Sequence, residues 1–105
     1  MKKKVLVRAK FKSAVFKRDG KCMVCGESIW GNNMDAHHIT DRNEMPNGGY
    51  VLENGITVCK KDCHFKVELF HISEGEEWNE NLHPDDLYKL IGSSKELAIE
   101  KSNKL

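Results

Sequence analysis

The chain has 105 residues, 39% hydrophobic and 31% charged, with a net charge of +1. This is enough for one domain with a modest core, and the balance excludes a disordered polyelectrolyte. No apolar run approaches the roughly 20 residues of a membrane span. The apolar stretch in "MKKKVLV" stops at Arg8, short of a signal peptide, so a cytoplasmic location and no membrane partner are expected.

The near-zero total conceals an uneven distribution. Residues 1–22 carry nine Lys or Arg and one acid, a net of +8, whereas residues 23–72 net −3 and residues 73–105 net −4. A basic N-terminal segment suits a polyanion partner, because each cation near a phosphate releases counterions. The same segment also reads as a solubilising tail.

In chain order, "RAKFKSAVFKRDG" predicts a helix, with Phe11, Ala14, Val15 and Arg18 at helical spacing and Gly20 as its stop. "CMVCG" follows as a tight knuckle in which Gly26 permits the turn. A strand is expected over about 34–40, in "NNMDAHHIT", then a loop marked by Pro46, Asn47, Gly48 and Gly49. "GITVC" is a second short strand rich in β-branched residues. Asp62 then opens a helix through "CHFKVELFHI". Beyond it, "SEGEEWNENL" is a polar linker, "HPDDLYKLIG" a helix with Pro and acids in its first turn, and "SSKELAIEKSNKL" a frayed last helix with a Ser93–Glu96 capping box. The expected organisation is a domain over 1–72, with its core at 15–70, and an acidic linker and helical extension over 73–105.

The four cysteines fall in two pairs, Cys22/Cys25 and Cys59/Cys63. Without a secretion signal, paired thiols read as a metal site before they read as disulfides. A structural zinc ion held by all four is therefore expected, since zinc takes soft ligands at tetrahedral corners and C-x2-C presents two from one knuckle. Four reduced core thiols are the poorer alternative, because Lys60, Lys61 and Asp62 separate two of them. The pairs flank a strand-loop-strand unit of about 40 residues, too small to hold itself rigid unaided.

Between the pairs lie "DAHHIT" and "LENGITVC", and "CH" closes the second pair. Here the sequence resembles the HNH endonuclease family, over "VFKRDGKCMVCG" through "DAHHIT" to "LENGITVCKKDCH". The resemblance implies an α+β fold: a small ββα-metal (His-Me finger) core with the four-cysteine zinc site, an N-terminal basic helix and short C-terminal helices. It implies His38 as the general base, His37 and His64 as ligands of a catalytic divalent cation, and Asn54 as the brace that orients the base. The implied activity is hydrolysis of DNA phosphodiester bonds by an endonuclease or nickase, in a phage or mobile-element setting.

The residue chemistry agrees. Phosphodiester hydrolysis needs water made nucleophilic near neutral pH and a cation against the charge growing on phosphate. An imidazole suits the first task, and adjacent strand residues face different sides, so one histidine can bind an ion while the other stays free. Taken alone, Asn54 is also an ordinary Asn-Gly turn residue, and His64 a first-turn helix residue or a zinc ligand in place of Cys63. Glu68 and His71 share the His64 face of the helix, Glu68 as a further ligand or, more simply, a solvated acid, and His71 as a structural residue. Asp35 is placed to hydrogen-bond a ligand histidine.

A histidine at position 37 leaves the ion open among Mg2+, Mn2+, Ni2+ and Zn2+. Expected phosphate contacts are Lys2, Lys3, Lys4, Arg8, Lys10, Lys12, Lys17, Arg18 and Lys21, with Arg42, Lys60, Lys61 and Lys66 nearer the site; these position a duplex without reading bases. Trp30 and Trp78 are expected to pack. The partner is DNA, in double-stranded form, and a homodimer or a phage or host protein partner stays open. The alternative reading is a non-catalytic zinc module that binds nucleic acid or protein.

Overall fold

The computed structural model describes residues 2–105. Helix α1 (Lys2–Asp19) is followed by β1 (Met34–His38), β2 (Gly55–Cys59), α2 (Cys63–Ile72), α3 (Pro84–Leu90) and α4 (Lys95–Asn103). The strands form an antiparallel pair with His37 opposite Ile56 and His38 opposite Gly55. Three short 3-10 turns, Arg42–Glu44, Pro46–Gly49 and Leu52–Asn54, fill the loop between them. This is an α+β chain whose β1–β2–α2 unit is the ββα core.

Helix α1 starts earlier than Arg8, since no glycine or proline interrupts the run from Lys2. Its buried residues Phe11 and Val15 press on the hairpin where Gly55 sits. A Cβ on Gly55 would lie 2.6 Å from Val15 Cγ2 and 2.7 Å from Phe11 Cζ. Glycine is therefore required for close approach, not for an unusual turn. Gly55→Ala should force α1 off the sheet and cost about 1–3 kcal/mol, as overpacking does. Thermal melts of the variant check this, and a transition within a degree of wild type would refute the contact.

Strand β1 ends at His38, two residues before the expected end at Thr40, because Asn54 takes over the pairing. The Ile39 N–H donates to the Asn54 carbonyl (2.9 Å) and the Thr40 N–H to Asn54 Oδ1 (2.9 Å). Residues 73–105 pack against the core: Leu82, Leu87, Tyr88 and Ala98 are buried in the same cluster as Met34, Ile56, Val58 and Val67. The last helix is not frayed. Ser94, rather than Ser93, caps α4 by accepting from the Leu97 N–H (3.1 Å), and Ser93 Oγ instead donates to the Glu53 carbonyl (2.9 Å). At the far end, buried Ser102 donates to the Pro46 carbonyl and accepts from the Gly49 N–H (3.1 Å), tying α4 to the loop. Among the described residues no helix is long and apolar enough to cross a membrane.

Trp30, expected in packing, is 67% exposed at a loop tip. Trp78 packs one side against Phe70 and His83, with ring centroids 6.0 and 4.8 Å away, but stays 47% exposed.

Candidate active site and metal centres

The two knuckles close on one another. The Sγ atoms of Cys22, Cys25, Cys59 and Cys63 all lie within 4.8 Å of one another, and Cys25 Sγ is 3.9 Å from Cys59 Sγ. A disulfide needs about 2.05 Å, whereas a tetrahedron with metal–sulfur bonds of about 2.3 Å has edges of about 3.8 Å. Backbone N–H groups donate to the sulfurs, Cys25 to Cys22 (3.5 Å) and Cys63 to Cys59 (3.4 Å). Burial pushes the Cys22 thiol up, but backbone hydrogen bonds at Cys25, Val24 and Cys59 outweigh it and leave it at about 7. Burial and the neighbouring sulfurs push Cys63 well above the usual thiol range. Four sulfurs this close cannot all ionise against each other alone. The donor set thus fits a closed, soft-ligand structural site for a divalent cation such as zinc.

A second ligand group forms across β1 and α2, where His37, His64 and Glu68 bring one atom each within 4.8 Å of the others. Glu68 Oε1 lies 3.0 Å from His37 Nδ1 and 3.5 Å from His64 Nε2. His64 is oriented from behind: its Nδ1 donates to Asp35 Oδ2 at 2.8 Å, which leaves the Nε2 lone pair directed at the cluster. Burial holds His37 below the ordinary imidazole value and so in the neutral form able to bind a cation. Hydrogen bonding to Glu68, and also to Asp35, raises His64, while the two imidazoles hold the Glu68 carboxyl far below its usual range. A cavity of about 370 Å³ opens onto the cluster. Two imidazoles and a carboxylate with an open side fit a catalytic ion with positions free for water and phosphate oxygens, in contrast to the all-thiol site.

His38 lines the same cavity. Its ring stacks on Phe11 (4.6 Å between centroids) and meets the edge of Tyr50 at 4.8 Å. Its Nε2 is sealed from solvent with no hydrogen-bond partner among the described residues, which leaves Nδ1 as the nitrogen able to reach water. Burial, with the neighbouring His37 and Arg42, pushes His38 down to about 4. The imidazole is therefore neutral at physiological pH and free to accept a proton. His71 Nε2 donates to the His38 carbonyl (2.9 Å) and fixes the backbone there.

Asn54 is fully buried at the hub of the loop. Its Nδ2 donates to the Thr40 carbonyl (3.0 Å) and the Gly49 carbonyl (3.3 Å), and its Oδ1 accepts from the Thr40 N–H and from the Tyr88 hydroxyl (2.7 Å). With its proton so used, the Tyr88 oxygen takes the Thr40 hydroxyl at 2.7 Å. Gly49 has φ +70°, and a Cβ there would sit 2.7 Å from Asn54 Nδ2, so position 49 needs glycine on both grounds. Asn54→Ala strands several buried polar groups, each worth about 1–3 kcal/mol. It should lower the melting point sharply while the protein retains metal at the four cysteines; an unchanged melting point would remove Asn54 from the framework.

Residues 22–69 match the family model described as HNH endonuclease. That segment is similar to HNH endonucleases. No curated protein and no solved structure matches the chain. The HNH segment covers both knuckles, the hairpin and most of α2, while α1, α3 and α4 lie outside it. An HNH domain implies a nucleic-acid substrate and nuclease-type chemistry supported by divalent metal.

The structure brings His37, His38 and His64 to one cavity of the matched segment and sets Asn54 at the loop hub behind it. Glu68, read more simply as a solvated acid, instead faces both His37 and His64; its signal is the four-residue spacing from His64. Tyr88 and Thr40 carried no sequence signal, because they meet Asn54 only through tertiary packing. Among the basic residues, Arg18 is corrected: its guanidinium donates to the Leu52 and Gly55 carbonyls (both 2.6 Å) and pairs with Asp19 (2.8 Å), so it clamps α1 to the hairpin. Lys61 pairs with Glu27 at 3.5 Å and Lys66 with Asp62 at 3.1 Å. Lys10, Lys17, Lys21 and Lys60 are exposed and line neither cavity beside His38. Arg42 borders His38 in both, and Arg8 and Lys12 in one. The side chains of Lys2, Lys3 and Lys4 lie outside the described residues.

Proposed function

We propose that this chain is a metal-dependent endonuclease or nickase that hydrolyses phosphodiester bonds of duplex DNA. The observation that carries the reading is the open His37–His64–Glu68 cluster sharing one cavity with His38. A divalent cation bound there supplies Lewis-acid stabilisation of the charge growing on the phosphate and leaving oxygen. The protein's own residues do the rest. His37, His64 and Glu68 would hold the ion, and Asp35 fixes the His64 ring so that Nε2 remains a ligand. His38 Nδ1 takes a proton from water as its oxygen bonds to phosphorus and the bond to the leaving sugar oxygen breaks. Phe11 and Tyr50 hold the base in place, and Asn54 with Tyr88 keeps the loop behind it from shifting. Cys22, Cys25, Cys59 and Cys63, holding zinc, secure both ends of the hairpin on which this depends.

Supercoiled plasmid incubated with the zinc-loaded protein and added Mg2+, Mn2+, Ni2+ or Zn2+ tests the reading. Nicked or linear product with at least one ion, abolished by a chelator, is expected. Retained DNA binding without product under every ion would favour the non-catalytic zinc module.

A further inference from the structure

A second cavity, of about 280 Å³, shares His38 and Arg42 with the metal-side cavity but is walled by α1. Arg8, Phe11 and Lys12 enter it from one face of that helix, and Tyr50 closes it from the loop. Three cationic side chains thus converge on one concavity. Its one carboxylate, Asp35, is already engaged by His64 Nδ1 at 2.8 Å. The Tyr50 hydroxyl oxygen receives Arg8 Nε at 3.3 Å and Arg42 Nη1 at 3.0 Å. With two donors on that oxygen, the phenol proton is left as a donor. Tyr50 also meets Phe11 edge-on (5.6 Å) and His38 (4.8 Å), so the group is held, not splayed into solvent. Lys12 lines the cavity, and its Nζ rests 5.7 Å from the Phe16 ring centre.

We propose that this cavity is a phosphate subsite for the phosphodiester next to the one being cut, with Arg8, Arg42 and Tyr50 donating hydrogen bonds and Lys12 adding charge. The inference rests on the nuclease reading for the identity of its strand, but not for its capacity to bind phosphate. Two guanidiniums tied through one hydroxyl present directed donors to a tetrahedral anion, which scattered surface lysines do not. Seating the neighbouring phosphate here would set which bond of the strand faces His38. It also gives α1, which lies outside the HNH segment, a direct part in substrate binding.

Two measurements on the full, zinc-loaded chain test this. In the first, inorganic phosphate is titrated without a catalytic cation while the Tyr50 and His38 ring resonances are followed by NMR. Saturable shifts are expected in wild type and in the remote charge control Lys104→Gln, and their loss in Arg8→Gln and Arg42→Gln. In the second, an oligonucleotide substrate carries one neutral methylphosphonate at successive positions. At one position beside the cut, KM should rise about tenfold, the value of one charge-assisted contact. Arg8→Gln should show the same rise on unmodified substrate and no further rise at that position. Absence of saturable phosphate binding, or penalties that multiply with Arg8→Gln at every position, would overturn the subsite while leaving cleavage intact. If no ion supports cleavage, the nuclease reading fails and the phosphate titration alone decides the cavity.

Discussion

Cys22→Ser should leave the chain largely unfolded or loosely folded at ambient temperature, with a loss of stability comparable to that of the whole domain. In small zinc-bound folds the metal contributes on the order of 10 kcal/mol of apparent folding free energy, against about 5–15 kcal/mol for an entire domain. Cys22 is fully buried in the central cluster and is one of two sulfurs in the first knuckle. The Met23 N–H donates to the Thr57 carbonyl of β2 at 3.0 Å, so that knuckle is also stitched to the hairpin. Serine offers a hard, poorly ionised oxygen in place of a thiolate. Circular dichroism melts with metal analysis check the prediction, and a strong chelator added to wild type should reproduce the same loss. A variant that melts like wild type would mean the four thiols do not hold the fold.

The second large effect is on turnover. His38→Ala should lower the cleavage rate by about 10²- to 10⁴-fold, the usual contribution of a positioned general base, with metal at the cysteines and the far-ultraviolet spectrum retained. The ring fills space between Phe11 and Tyr50, so a modest drop in melting temperature accompanies the change. Single-turnover cleavage of a labelled duplex separates the two, because a packing defect relaxes at lower temperature and a missing base does not. A rate within a fewfold of wild type would assign the proton transfer to another group.

The parts of this architecture visible in the sequence are those in which chemistry and spacing act locally. The Cys–x2–Cys knuckle, the β-branched "GITVC" strand and the helix opening at Cys63 are all set by neighbours a few residues apart. The adjacency of His37 and His38 on a strand predicts that they face different surroundings, and the structure turns one to Glu68 and stacks the other on Phe11. What was hidden depends on chain segments meeting from afar. Tyr88 reaches Asn54 from 34 residues away, and Ser102 binds the loop at Gly49 from 53. For that reason an acidic tail that reads as an appendage is the wall behind the candidate site. Arg18 shows a different failure. Its charge suggested phosphate, yet it lies on the stripe of Phe11, Ala14 and Val15 that faces the hairpin, and there it caps two carbonyls. Periodicity outweighed residue type.

The most direct test of the account is Mn2+ titrated into the zinc-loaded protein, with pulsed electron paramagnetic resonance and DNA cleavage read in the same samples. One Mn2+ site with couplings to two imidazole nitrogens should fill as cleavage rises, and His64→Ala should lose one nitrogen and the activity together. Cleavage that rises with no imidazole-coordinated Mn2+, or such a site filled without any cleavage, would contradict it.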